Sequence, residues 1–160
     1  MPNTYQTQTL DELDKSILSI LQRDGRISNA DLARRISLSQ PATHARLRRL
    51  EERGYIDSYV ALLDREQVGF DMLCFVRVSL KRHQIEHVEQ FRAAVQKMPE
   101  VMECHFVTGD FDYLLKVVVR NRKELERFLV RKLTPAPGVA RVYTNLVLSE
   151  VKSTTTLPLE

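Results

Sequence analysis

Residues 28–54 read SNADLARRISLSQPATHARLRRLEERG, and this stretch decides the N-terminal fold. Ser28 is suited to cap a helix, and Asp31, three residues on, places a negative charge where the helix dipole favours it. Leu32, Ala33 and Ile36 give that helix an apolar face. Ser37-Leu38 is a short turn. Ser39 caps the next helix, and Pro41 lies in its first turn, where proline's missing N–H costs nothing. Thr43, Leu47 and Leu50 recur at i, i+4 and i+7, and Gly54 stops the helix. Two helices joined by so short a turn, the second arginine-rich on its outer side, have the pattern of a helix-turn-helix.

Upstream, residues 11–22 place Leu13, Ile17, Ile20 and Leu21 on one face of a first helix, with Gly25 after it. Downstream, residues 55–62, YIDSYVAL, are apolar, β-branched and aromatic, which suits a short hairpin or wing. The reading gives a DNA-binding domain over 1–63, a polar linker at 64–69 ending in Gly69, and a second domain over 70–160. In that domain residues 70–80 are strand-like. A helix over 84–98 carries Ile85, Val88, Phe91, Val95 and Met98 before Pro99. Two strands, 101–107 and 113–119, flank the turn TGDFD at 108–112. Asn121 caps a helix with Leu125, Phe128, Leu129 and Leu133 inward; PAPG at 135–138 breaks it, and a last strand covers 139–151. The order βαββαβ is ferredoxin-like, so the whole chain reads as α+β. Val76, Val78, Leu115, Val117, Val119, Tyr143, Leu146 and Leu148 exceed what one covered sheet face absorbs, which predicts a homodimer or larger assembly. The tail from Lys152 reads either as an edge strand or as a loose end.

The chain has 160 residues and a formal charge of +3. Residues 34–53 hold six arginines against two glutamates, a local +4 that leaves the remainder at −1. A local arginine cluster over a near-neutral remainder is the footprint of a phosphate-binding surface; the alternative is a solvated helix face. No apolar run approaches the ~18 residues of a membrane span. The N-terminal residues lack a signal-peptide pattern. Two cysteines, Cys74 and Cys104, are too few for a disulfide framework, and a cytoplasmic protein with reduced thiols is expected. Five scattered glycines, at 25, 54, 69, 109 and 138, make no phosphate loop. His83-Gln84-Ile85-Glu86-His87 matches an inverted zinc-protease pattern, but it begins at a loop-helix boundary and lacks a third ligand. Neither a catalytic site, a metal nor a cofactor is expected.

The outward face of the second helix of the pair holds Gln40, Pro41, His44, Ala45 and Arg48, in reach of a major groove. Ser39, Arg46 and Arg49 lie toward the flanks, where contacts go to phosphates. For any single arginine the alternative is an ion pair with Glu51, Glu52 or an acid of the preceding helix. At the second concentration of chemistry, Asp110 and Asp112 can hold an ammonium group, and N–H groups near Gly109 a carboxylate; together these suit a free amino acid. The alternative is a turn that uses Gly and Asp for local hydrogen bonds.

These blocks resemble a known family. LDELDKSILSILQRDGRISNADLARRISLS, RLRRLEERGYIDSYVALLD, VQKMPEVMECHFVTGDFDYLLKV and PGVARVYTNLVLSEVK resemble, in that order and over about residues 10–159, the Lrp/AsnC (feast/famine) bacterial transcription regulators. The resemblance implies a winged helix-turn-helix that reads double-stranded DNA and a ferredoxin-like RAM domain that senses a small amino acid. It implies dimers assembling to a higher oligomer such as an octamer, with an effector pocket near residues 108–112. By position Thr108, Gly109, Asp110 and Asp112 match the effector loop, and Asn145 falls on the last strand where the leucine-responsive branch has an aromatic residue. Pro41-Ala42-Thr43-His44 also departs from that branch's recognition helix. A ligand-independent DNA-architectural protein is the alternative function.

Overall fold

The computed structural model describes residues 10–81 and 85–159. It divides into two compact units, one made of the chain through Leu62 with the tail from Lys152, the other Leu63–Val151.

In the first unit α1 spans Glu12–Leu21, α2 Asn29–Arg35 and α3 Gln40–Glu52. Each start is capped by its own side chain. Asp11 accepts from the Asp14 N–H, Ser28 from Asp31 and Ser39 from Ala42. Ser37, between α2 and α3, takes φ +57°, and the Leu38 N–H closes the α2 terminus on the Ala33 carbonyl at 3.0 Å. Gly54, at φ +73°, lets the Tyr55 N–H do the same on Leu50. The three helices bury Ile17, Leu18, Leu32, Ile36 and Leu50 in one core. Thr43 is fully buried, its hydroxyl donating to the Ser39 carbonyl at 3.0 Å.

Two stretches of this unit differ from expectation. Residues 55–62 form no β-ladder; a hairpin needs a second strand, and none lies beside this segment within the unit. It is irregular instead, fixed by Ile56 on the helical core and by the Tyr59 hydroxyl, which donates to Glu51 Oε1 at 2.9 Å. Burial, and then that carboxylate, push the Tyr59 phenol up to about 12. The tail, expected within 70–160, folds against the helices. Leu159 packs on their core, and Leu157 is hydrogen-bonded to Gln22 on the turn after α1.

The second unit runs β1 (Met72–Leu80), α4 (Ile85–Val95), β2 (Val101–Phe106), β3 (Tyr113–Val119), α5 (Arg122–Phe128) and β4 (Val139–Leu146). A wide π turn, Leu129–Leu133, extends α5. The antiparallel sheet has the order β2-β3-β1-β4. Residues 64–69, read as a linker, form a closed turn of this unit. Asp64 Oδ1 accepts the Glu66 and Gln67 N–H groups, and the Arg65 guanidinium donates to the Phe70 and Asp71 carbonyls.

The sheet's face count needs correction. Val76, Val78, Leu115, Val117 and Val119 all lie on the one face that the helices cover, and each is almost fully buried with Phe91, Phe128 and Leu133. The in-register pairing of Val76 with Leu115 brings them together. The opposite face is mixed: Phe75, Arg77, Leu114, Lys116, Tyr143 and Asn145 by alternation and register.

Candidate nucleic-acid interface and ligand turn

Of the residues expected to face a duplex, Gln40, Pro41, His44 and Arg48 are exposed on α3. Arg48 Nε donates to Glu52 Oε1 at 2.8 Å one turn on, with both side chains well solvated, an exchangeable pairing. Ser39 is exposed but engaged in the cap. Arg46 and Arg49 are turned to α1. Arg46 Nη1 donates to Asp11 at 2.6 Å and to Asp14 at 2.9 Å, and Arg49 Nη2 to both Asp14 oxygens at 3.0 and 3.1 Å. Their ion-pair alternative is therefore realised, with acids of α1's first turn in place of α2 or Glu51. The Arg46 bond, then the Asp14 N–H, hold the Asp11 carboxyl below its usual range. Sequence spacing gave no sign of this cluster, because Asp11 and Arg46 meet only through the packing of α1 on α3. Arg35 and Arg53 are exposed and, among the described residues, carry no ion pair; both stand on the HTH pair's margins and were read only as net charge.

The turn at 108–112 joins β2 to β3. Thr108, Gly109 and Asp110 are exposed, and Gly109, at φ +129°, has open space where a Cβ would stand. Asp112 is tied into the sheet: Oδ2 accepts the Leu80 N–H at 2.7 Å, and its own N–H donates to the Val78 carbonyl. Asn145 is not gathered with them in one chain. It pairs with Phe75, three residues along β1 from Val78, and its amide donates to the Phe75 carbonyl. Strand rise and spacing put it roughly 14 Å from the start of β3. What does reach the turn is Arg77, whose guanidinium lies 5.6 Å from the Phe111 ring centre and 5.4 Å from that of Tyr143. Its place opposite Leu114 and Tyr143 comes from the strand register, which sequence spacing did not supply.

His83 lies outside the described residues. Among the described residues no group of three or more His, Cys, Asp or Glu side chains is placed to hold a metal, and no helix is long and apolar enough to cross a membrane. Cys104 is exposed on β2.

The profile of the winged helix-turn-helix DNA-binding family matches residues 10–57, and that of the Lrp/AsnC ligand binding domain matches 73–157. The chain belongs to the Lrp/AsnC family. This Lrp/AsnC protein is 44% identical over 151 residues to the leucine-responsive regulatory protein of Salmonella typhimurium, covering 94% of this chain and 92% of that one. Over the same length it is 43% identical to the corresponding Escherichia coli K12 protein, with the same coverage. Among solved structures it resembles a Neisseria meningitidis transcriptional regulator in complex with L-methionine, with TM-score 0.91, 38% identity, and 94% and 97% of the two chains covered. An AsnC family regulator from Agrobacterium tumefaciens gives TM-score 0.88 at 37% identity, covering 93% and 97%. The Lrp/AsnC chain is thus a transcription regulator, not an enzyme, with a DNA-binding unit and a ligand-binding unit in the order that its sequence led us to expect.

Proposed function

We propose that this Lrp/AsnC regulator reads duplex DNA with the outer side of α3 and adjusts its assembly or its DNA affinity to a small free amino acid. Gln40, Pro41, His44 and Arg48 face the groove, with glutamine matched to adenine and arginine to guanine. Arg35 and Arg53 meet phosphates from the margins. Arg46 and Arg49 act through α1, holding the reading helix at a fixed roll, and Ser39 fixes where it starts. The observation that carries this reading is the division of labour on α3: two arginines neutralised inward by Asp11 and Asp14, the remaining polar side chains outward.

The effector belongs at residues 108–112, where Thr108, the open Gly109 backbone and Asp110 offer groups for an ammonium and a carboxylate. Asp112 braces the turn and contributes charge, and Asn145 joins only if a second copy brings its last strand near. A homo-oligomer built from dimers, working in the cytoplasm where the chromosome lies, completes the proposal. An amino acid shifts such an assembly only by binding one state more tightly than another.

A duplex titration with and without each of the twenty amino acids, read beside oligomer mass, tests it. At least one amino acid changes affinity or mass. Arg48→Ala weakens specific binding by about 1–3 kcal/mol if it reads a base; unchanged affinity and specificity remove it from the reading set. The ligand-independent architectural reading draws on one observation: the Asp112 carboxylate is already used by the Leu80 N–H. Silence across all twenty amino acids favours it.

A further inference from the structure

We infer that Asn29 is a positioning residue for DNA reading: its side-chain amide holds the first turn of α3 so that Gln40 meets its base. The inference rests on the reading of α3 given above and concerns the helical unit alone. Asn29 is the first residue of α2, and Gln40 is the first of α3. Asn29 Nδ2 donates to the Gln40 carbonyl at 3.0 Å, across eleven residues of chain. A carbonyl only accepts, so the amide nitrogen is the atom that faces it.

The start of α3 depends on such a tie. The first turn of a helix has N–H groups without intrahelical partners, and it is where helices fray. Ser39 sets where α3 begins, but it accepts the Ala42 N–H at 3.4 Å, against 2.8 to 3.1 Å for the caps at Asp11, Ser28 and Asn121. The rest of the helix is secured by other means. Leu38 packs on the helical core before the cap, Thr43 is buried after it, and Leu47 and Leu50 follow in the core. Arg46 and Arg49 are bonded to Asp14 of α1. The Gln40 side chain is exposed, and among the described residues no other bond from outside α3 reaches that residue.

The other half of the Asn29 amide carries the second observation. Asn29 Oδ1 is buried and, among the described residues, has no hydrogen-bond partner. Burying an acceptor unpaired is unfavourable, and an apolar residue at this position would avoid it. The gain that offsets it is the bond from Nδ2 to Gln40. A glutamine that pairs with adenine must align both its amide atoms with the base edge, so its backbone has to be fixed before the duplex arrives. Without the tie α3 stays folded, and Arg48 stays in place between the two arginines that α1 holds. Gln40 alone then stands on a frayed turn. Discrimination fades at one base pair and stands at the others, whereas a residue that merely supported the fold would weaken all of them together.

The test uses the full-length chain as wild type, Asn29→Ala, Asn29→Asp and Gln40→Ala. Asn29→Asp keeps the shape, has no donor when ionised, and places its charge where the α2 dipole favours it. The wild type selects a preferred duplex from a random pool, and each base pair of that duplex is then exchanged in turn. Gln40→Ala marks the pair that Gln40 reads. At that pair both Asn29 variants lose discrimination about fivefold or more, the low end of what one bidentate contact supplies, and at every other pair they stay within about twofold of wild type. Unchanged discrimination at the Gln40 pair overturns the inference. So does an equal loss at all pairs, which a structural role would give, or the failure of both variants to fold. Loss in Asn29→Ala with none in Asn29→Asp overturns the hydrogen bond as the cause. A Gln40→Ala that relaxes no base pair overturns the reading of Gln40 and the inference together, while an effect of Gln40→Ala with none from either Asn29 variant overturns the inference alone.

Discussion

Asp14 is almost fully buried at the start of α1 and carries two arginines on one carboxylate. Arg46 and Arg49 are only partly buried, so the arrangement lies between a surface pair and an interior one. Asp14→Ala strands the Arg49 guanidinium, leaves Arg46 with Asp11 alone, and loses on the order of 2 kcal/mol, below the figure for a wholly buried pair. Chemical denaturation measures it; a loss under half a kilocalorie would mean that water already satisfies Arg49. Asp11 gives the same cluster a pH dependence. Its carboxyl is depressed in the fold, first by the Arg46 bond and then by the Asp14 N–H. A depressed carboxylate contributes stability above the unfolded carboxylate range and loses it as pH falls through the folded value. Asp11→Ala is therefore less stable than wild type at about pH 7, and the gap narrows as pH falls through the depressed folded value of Asp11. Melting curves along that descent decide it. Spacing left this half legible: Arg46 and Arg49 were read at the flanks of the outward face with an ion pair as the alternative, but helical periodicity separates faces without saying which acids lie across the groove between helices.

At the scale of elements, local chemistry was legible and long-range pairing was not. Ser28, Ser39 and Asn121 cap the helices they were expected to cap, since a cap is a side chain bonding its own backbone three residues on. Strand and helix periods likewise placed β1, β3, α4 and α5. Residues 55–62 have strand composition but no strand beside them, and the tail's docking depends on Gln22, far away in sequence; neither is encoded locally. Ser37 is an instructive middle case. The short turn was expected, its positive φ was not, because serine gives no signal for a left-handed backbone. A side chain there costs energy that glycine avoids, while glycine adds freedom to the unfolded chain. Ser37→Gly raises stability by roughly 0.5–1 kcal/mol, the net of those two effects. Thermal unfolding measures it, and a lower melting temperature would show that chain entropy outweighs the relief of strain.

For the whole molecule the open sheet face carries the consequence. Seen in the fold, it is an aromatic and cationic surface with Phe75 and Tyr143 more than a third exposed and Arg77 stacked between Phe111 and Tyr143. The proposed assembly rests on a different footing from a sheer excess of aliphatic residues: flat aromatics with a fixed guanidinium suit a protein partner. If copies join through this face about a two-fold axis, one substitution acts twice. Phe75→Arg adds a cation beside Arg77 and Lys116 in each copy, at a position exposed enough that the separate chain still folds. Light scattering is expected to show a lower mass for Phe75→Arg than for wild type, with an unchanged circular dichroism spectrum. Affinity for a long duplex then falls by on the order of 10²–10⁴ through loss of linked sites, while affinity for a duplex long enough for one helix-turn-helix stays put. An unchanged mass would move the assembly to another surface, and the exposed apolar side chains of residues 60–63 would be the next to substitute.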